Sequence, residues 1–158
     1  MKSITVENLL GNHKSYTQVT GDEEALKRVI QTGEINRPGF ELAGFFKHSD
    51  FRRIIVFGDK EMAFIAEMSE ERQKEIFPCL INEEVPCIVI CKGHECPKVL
   101  KDVANERNFP IFQTELITGA VSSELMNTLE EKLAKDGISN LGTGFLLKKN
   151  VYIITKGK

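Results

Sequence analysis

The chain has 158 residues, 41% hydrophobic and 28% charged, the proportions of one globular domain able to bury a core without a metal or disulfide staple. Lys and Arg total 21 against 23 Asp and Glu, so the formal charge is -2 and no net field draws the chain to nucleic acid or anionic membrane. No apolar run nears the roughly 18 residues of a membrane span, and the start MKSITVENLLGNHK lacks the basic-then-apolar order of a signal peptide, so a cytoplasmic protein with reduced thiols is expected.

Ile4 to Leu10, apolar at 4, 6, 9 and 10, reads as a strand residue or two running into a short helix. The β-rich stretch Tyr16–Thr20 stops at the turn signal Gly21-Asp22, and a second β candidate passes through Arg28-Val29-Ile30. Pro38 sits where a helix start tolerates its missing N–H, which predicts a short helix over about 39–46. Ile54 to Phe57 is a continuous apolar run closed by Gly58, the pattern of a strand buried on both faces. Residues 59–82 read as helical, broken near Ser69 and Pro78, with Ser69 as a cap followed by acids in the first turn. Val85 to Cys91 repeats the buried-strand pattern, Pro97–Asn108 is a predicted helix, and Pro110-Ile-Phe a short strand. Ser122–Lys135, with Leu125, Met126, Leu129 and Leu133 at helical spacing, is an amphipathic helix.

Strands alternating with helices over 53–135 predict an α/β fold, a mixed and mostly parallel sheet flanked by helices. After Gly137 the pattern changes to two β-like runs, Leu141–Lys148 and Val151–Thr155, with a turn at Lys149-Asn150. The expected division is a domain over 1–137, then a linker and the first strands of another domain over 138–158.

Four sets of residues invite a chemical reading. Cys87, Cys91, His94 and Cys96 offer soft ligands, but their spacing fits no common zinc pattern, and buried thiols are the alternative. The acidic pairs Glu70-Glu71, Glu83-Glu84 and Glu130-Glu131 lack any sign of the burial or crowding that tunes a general acid, and His13 and His48 read as solvated. Neither a GxGxxG nor a complete GxxxxGK[ST] motif occurs; the nearest pieces are Gly142-Thr-Gly144 and the terminal Gly157-Lys158, so the chain is expected to hold no cofactor and no metal of its own. Asn36-Arg37-Pro38-Gly39 with Glu41 is the most unusual polar cluster. It is either a rigid connection fixed by an Arg–acid pair or a ligand or partner contact at the mouth of the sheet, where open α/β sheets bind ligands.

Several segments in order resemble bacterial HPr kinase/phosphorylase. Glu34-Ile-Asn-Arg-Pro-Gly-Phe-Glu-Leu-Ala-Gly-Phe-Phe46 is similar to that family's DINRPGLELAGYF, and Arg53-Ile-Ile-Val-Phe-Gly-Asp-Lys-Glu-Met-Ala-Phe64 to its RIQLLGKTELSF. Val85-Pro-Cys-Ile-Val-Ile-Cys-Lys-Gly93 resembles TPCIIVTRG, and Thr128-Leu-Glu-Glu-Lys-Leu-Ala134 the helix end NYLEEKLA. The resemblance covers about residues 3–155. It implies an N-terminal domain similar to those of Mur ligases, joined in the family to a kinase half with a phosphate-binding loop. That half uses ATP and Mg, or pyrophosphate, to phosphorylate or dephosphorylate a serine of the phosphocarrier HPr in carbon catabolite regulation, within a homohexamer.

Gly144-Phe-Leu-Leu and Val151-Tyr-Ile-Ile-Thr155 resemble the first strands of that half, which places the family's catalytic residues and its HPr contacts beyond Lys158. The family's arginine in its TTRF segment has no counterpart in Thr118-Gly-Ala-Val121. The expectation is therefore a regulatory and oligomerisation domain, not catalytic alone, with Asn36, Arg37, Gly39, Glu41 and Lys92 as candidate contacts for an anionic metabolite or partner. The alternative is a free-standing binding module that shares only this domain.

Overall fold

Ile54–Phe57 forms strand β5, and all four of its side chains are buried, as a parallel strand covered on both faces requires. The computed structural model describes residues 2–134, and the expectations for Lys135 and for 138–158, including the second domain, lie outside the described residues. In chain order the strands are β1 (Ile4–Thr5), β2 (Thr17–Thr20), β3 (Val29–Ile30), β4 (Ile35–Asn36), β5, β6 (Ile88–Ile90) and β7 (Ile111–Gln113). The helices are α1 (Gly39–Leu42), α2 (Asp59–Glu67), α3 (Glu70–Leu80), α4 (Lys98–Glu106) and α5 (Thr118–Ala134).

The main sheet runs β2-β7-β6-β5-β4. Strands β4 to β7 are parallel, with Ile55 opposite Ile88 and Val89 opposite Phe112, and β2 joins antiparallel at one edge. β1 and β3 form a separate antiparallel pair. The α/β class and the mostly parallel mixed sheet expected from the pattern of elements are what the chain adopts.

Side-chain alternation sorts the strands into two faces. Ile55, Phe57, Ile88, Ile90 and Ile111 pack with Leu42, Ile76, Phe77, Leu80, Leu100 and Ala104, so α1 to α4 cover this face. Ile54, Val56, Val89 and Phe112 pack with Val121, Leu125 and Leu129, one stripe of α5, on the opposite face. Cys87 and Cys91 project into the α5 side, Cys96 packs against the other core, and Cys79 lies exposed on α3, so the four thiols do not converge. Burial pushes the Cys87 and Cys96 thiols up to about 12 each.

Three boundaries differ from the sequence expectation. The helix expected over 39–46 stops at Leu42, because Gly44 turns to a left-handed φ of 98°. Pro78 does not break α3. It lies in the last turn, where the buried Phe77 and Leu80 hold the helix to the core. There the Arg107 guanidinium donates to the Pro78 and Ile81 carbonyls at 2.7 and 2.6 Å, taking up acceptors that a helix end leaves without partners. Helix α5 begins four residues ahead of its expected start, anchored by the Val121 N–H to the Ile117 carbonyl at 3.0 Å, and it leaves Met126 41% exposed.

Candidate functional site

The carboxyl ends of the four parallel strands form one mouth, and every loop that leaves it carries a polar group. β4 delivers Arg37, β5 delivers Gly58 and Asp59, β6 delivers Lys92 to His94, and β7 delivers Thr114 to Leu116. Glu61 stands in the first turn of α2, two residues beyond Asp59.

Arg37 meets Glu61 as a fork. Its Nε and Nη2 donate to Oε2 and Oε1 at 3.1 and 2.8 Å, and the Gly58 N–H donates to the same Oε1 at 2.7 Å. The Glu61 side chain is 8% exposed against 40% for Arg37. Burial alone would raise the Glu61 carboxyl, but the guanidinium and the Gly58 amide outweigh it and hold the group below its usual range. Close approach favours glycine at 58, since a Cβ there would stand 2.6 Å from Thr118 Oγ1 and 2.8 Å from Arg37 Nη2 and would displace these side chains. The β4 loop, the start of α2 and the start of α5 therefore meet around Gly58.

Asp59 is held between two side chains of the β6 loop, Lys92 and His94. Its Oδ1 contacts His94 Nε2 at 2.7 Å and its Oδ2 accepts from Lys92 Nζ at 2.6 Å. The hydrogen bond from His94, then that from Lys92, keeps the Asp59 carboxyl below the ordinary carboxylate range. The loop bends through two consecutive left-handed residues, Lys92 with φ 61° and Gly93 with φ 72°. Their N–H groups donate to the Leu116 and Thr114 carbonyls, both at 2.9 Å, which ties the β6 and β7 loops together.

Of the residues singled out in the sequence, Arg37 and Lys92 both reach this mouth and join successive parts of the first turn of α2. Asn36 closes β4 opposite Ile55. Gly39 is exposed, and a side chain placed there would meet nothing within 4 Å of its Cβ, so its role is not steric. Glu41 is not the partner of Arg37: it is buried and accepts a hydrogen bond from Ser49 Oγ at 2.7 Å, fixing the turn after α1. The Arg–acid pair expected within 36–41 thus forms across the mouth instead. Asp59, Glu61 and Thr118 do not stand out in the sequence, and His94 reads there as a thiol neighbour or a solvated side chain. The available signal is two acids immediately after a buried strand, which is where a sheet mouth places a helix start.

Chemically the part of the mouth at the start of α2 is a closed electrostatic frame. Both Arg37 and Lys92 have carboxylate partners, so neither stands ready as an uncompensated cation, and among the described residues no group of three or more His, Cys, Asp or Glu is arranged to hold a metal ion.

Comparison with known proteins follows the same span. A family model described as HPr Serine kinase N terminus matches residues 4–129. The HPr kinase/phosphorylase of Exiguobacterium sp. is 37% identical over 117 residues, 74% of this chain and 38% of that protein. The Shouchella clausii protein of the same name is 34% identical over 134 residues, 85% of this chain and 43% of that protein. That of Enterococcus faecalis is 36% identical over 129 residues, 82% of this chain and 40% of that protein. The chain therefore spans about two fifths of these relatives. A crystal structure of the CBS and DRTGG domains of the regulatory region of Clostridium perfringens pyrophosphatase, complexed with diadenosine tetraphosphate, is similar over 71% of this chain and 41% of that one, with 18% identity and a TM-score of 0.46. That likeness is too slight to carry an argument.

Proposed function

Because this chain belongs to the HPr serine kinase N-terminal family, we propose that it is the regulatory and subunit-organising part of an HPr kinase/phosphorylase, and that phosphate transfer belongs to the portion of its relatives that it does not span. The observation that carries this reading is the coincidence of two limits: the family match ends at residue 129, and the charged groups gathered at the start of α2, Arg37 with Glu61 and Lys92 with Asp59, are locked to one another. A catalytic base or nucleophile needs a group left open to substrate with a tuned pKa. At this mouth the carboxylates of Asp59 and Glu61 are instead stabilised as anions by their partners.

On this reading ATP, Mg and HPr engage the kinase portion, in carbon catabolite regulation in the cytoplasm. The N-terminal part contributes subunit contacts and registers a ligand or partner at the mouth, with Asn36, Arg37, Gly39, Glu41 and Lys92 around it. Support for the architectural role comes from Phe40 and Phe45, which are 77% and 54% exposed with ring centroids 6.1 Å apart, an apolar pair beside the mouth that solvent alone would not favour. Sedimentation of the 158-residue chain is expected to show an assembly larger than the monomer, reduced to monomer in the Phe40→Ser, Phe45→Ser double variant. A monomer at every concentration, or an assembly indifferent to both substitutions, contradicts the subunit-organising role.

A further inference from the structure

The mouth also contains a break in the covering of the sheet. α4 packs on one face and α5 on the other, so the loop leaving β6 and the loop leaving β7 turn in opposite directions. Between adjacent parallel strands such divergence opens a crevice at the carboxyl ends, the usual place for a ligand on an open α/β sheet. Here the crevice is a cleft of about 360 Å3, at the small end of the range for ligand sites. Because β2 runs antiparallel to β7, the approach to β2 forms its other wall. Lys14, Ser15 and Thr17 line that wall, and Gly93, Gln113 and Glu115 line the side of the parallel strands.

The charges of this cleft differ from those of the neighbouring frame. Arg37, Asp59, Glu61 and Lys92 are all paired, whereas among the described residues Lys14 and Glu115 have no hydrogen-bond or ion-pair partner. Glu115 nevertheless has a defined seat. Its Oε1 lies 2.8 Å from where a Cβ of Gly93 would stand, so the glycine, already left-handed, leaves room for the carboxylate against the backbone. Gln113 uses its Oε1 to accept the Cys96 N–H at 2.8 Å, which fixes the side chain and leaves the amide N–H groups as donors.

One cation and one anion in a small cleft select the ligand by charge. A nucleoside di- or triphosphate would bring several negative charges against a single lysine and meet Glu115 as a like charge. An apolar molecule would desolvate both ions and return nothing to either. A molecule carrying one charge of each sign satisfies both. We infer that the cleft between the β6 and β7 loops binds a free α-amino acid, its ammonium on the Glu115 carboxylate and its carboxylate on the Lys14 ammonium, with the Ser15 and Thr17 hydroxyls and the Gln113 amide facing a polar side chain. The inference rests on the reading of this chain as a module that registers a ligand at the sheet mouth; it places the ligand in this cleft, beyond Lys92 and apart from Asn36, Arg37, Gly39 and Glu41, and names its class.

The test is an NMR titration of the 15N-labelled 158-residue chain with each of the twenty standard L-α-amino acids, to about 10 mM, a concentration that reveals even millimolar affinity. The matching α-keto acids and decarboxylated amines, each lacking one of the two α-charges, serve as controls, and AMP as a phosphate-bearing one. At least one amino acid is expected to shift the amides of Gly93 and Thr114 to Leu116 saturably, while its keto acid and amine do not. Glu115→Gln and Lys14→Met are each expected to weaken that binding about tenfold or more, the effect of losing one charge-assisted contact. Both side chains are exposed and unpartnered, so neither change threatens the fold. The assignment is overturned if no amino acid shifts these amides, if both variants bind undiminished, or if AMP alone saturates the cleft. Those outcomes leave the non-catalytic reading standing, whereas transfer of phosphate by this chain would remove that reading without touching the titration.

Discussion

Phe109→Ala is expected to destabilise the chain by about 4 kcal/mol, the cost of deleting a fully buried aromatic ring and leaving a cavity. Phe109 has no exposed surface and packs in the core beneath α1 to α4. Its ring also lies 4.8 Å beneath the Arg28 guanidinium, which donates to the Asn82 and Val85 carbonyls at 3.1 and 2.7 Å. The ring thus supports an arginine that ties the β3 approach to the loop before β6, and its loss adds about 0.5–1 kcal/mol to the cavity term. For a domain with a total stability of about 5–15 kcal/mol this is a large fraction. Urea unfolding would read it directly. The exposed Phe40 is the control: Phe40→Ala should change stability by less than about 0.5 kcal/mol. Equal effects at the two positions would contradict the packing described.

The second large effect is expected from Arg37→Met, with a pH signature that a simple packing loss lacks. The substitution keeps much of the side-chain length and removes both donors from Glu61, leaving a nearly buried carboxylate with the Gly58 N–H alone. Breaking a buried pair costs about 3–5 kcal/mol; with Arg37 itself 40% exposed, about 2 kcal/mol is expected at neutral pH. The sign follows from linkage. In the native chain Glu61 has a depressed pKa, so its contribution is present above the unfolded carboxylate pKa and is lost as pH falls through the folded value. Without Arg37 the buried carboxylate is disfavoured and its pKa rises. The gap between the native chain and Arg37→Met should therefore be widest near pH 7 and narrow as pH falls through the carboxylate range. Adding Glu61→Gln to Arg37→Met should recover part of the loss at neutral pH. A gap independent of pH would mean that the fork contributes packing rather than charge.

The two effects bear on what the sequence could and could not disclose. Ile54–Phe57 and Val85–Cys91 are legible as buried strands because four or more consecutive apolar residues bounded by glycine or proline have few other uses. Their order with the helices implies a parallel sheet. β4 is not legible, since Ile35–Asn36 is two residues long and pairs only because β5 offers its edge. The start of α5 is obscured by Gly119, a weak helix former that the docking of Val121 onto the core overrides.

The site divides along the same line. Arg37 and Lys92 stand out by residue type, but their partners Glu61 and Asp59 are 24 and 33 positions away, brought close only by the sheet. Glu41, four residues from Arg37, is far nearer by sequence than Glu61 and is not its partner in space. Spacing along the chain identifies partners on one helix or one strand; across a sheet mouth, topology decides.

The role proposed for this chain is to organise and regulate without transferring phosphate. It is tested most directly by incubating the purified 158-residue chain with HPr, Mg and γ-labelled ATP, and separately with seryl-phosphorylated HPr and pyrophosphate, beside the full-length Enterococcus faecalis HPr kinase/phosphorylase. The account predicts label on HPr and loss of its phosphate only with the full-length protein, whatever the concentration of the chain. Stoichiometric labelling of HPr by the chain alone would contradict it.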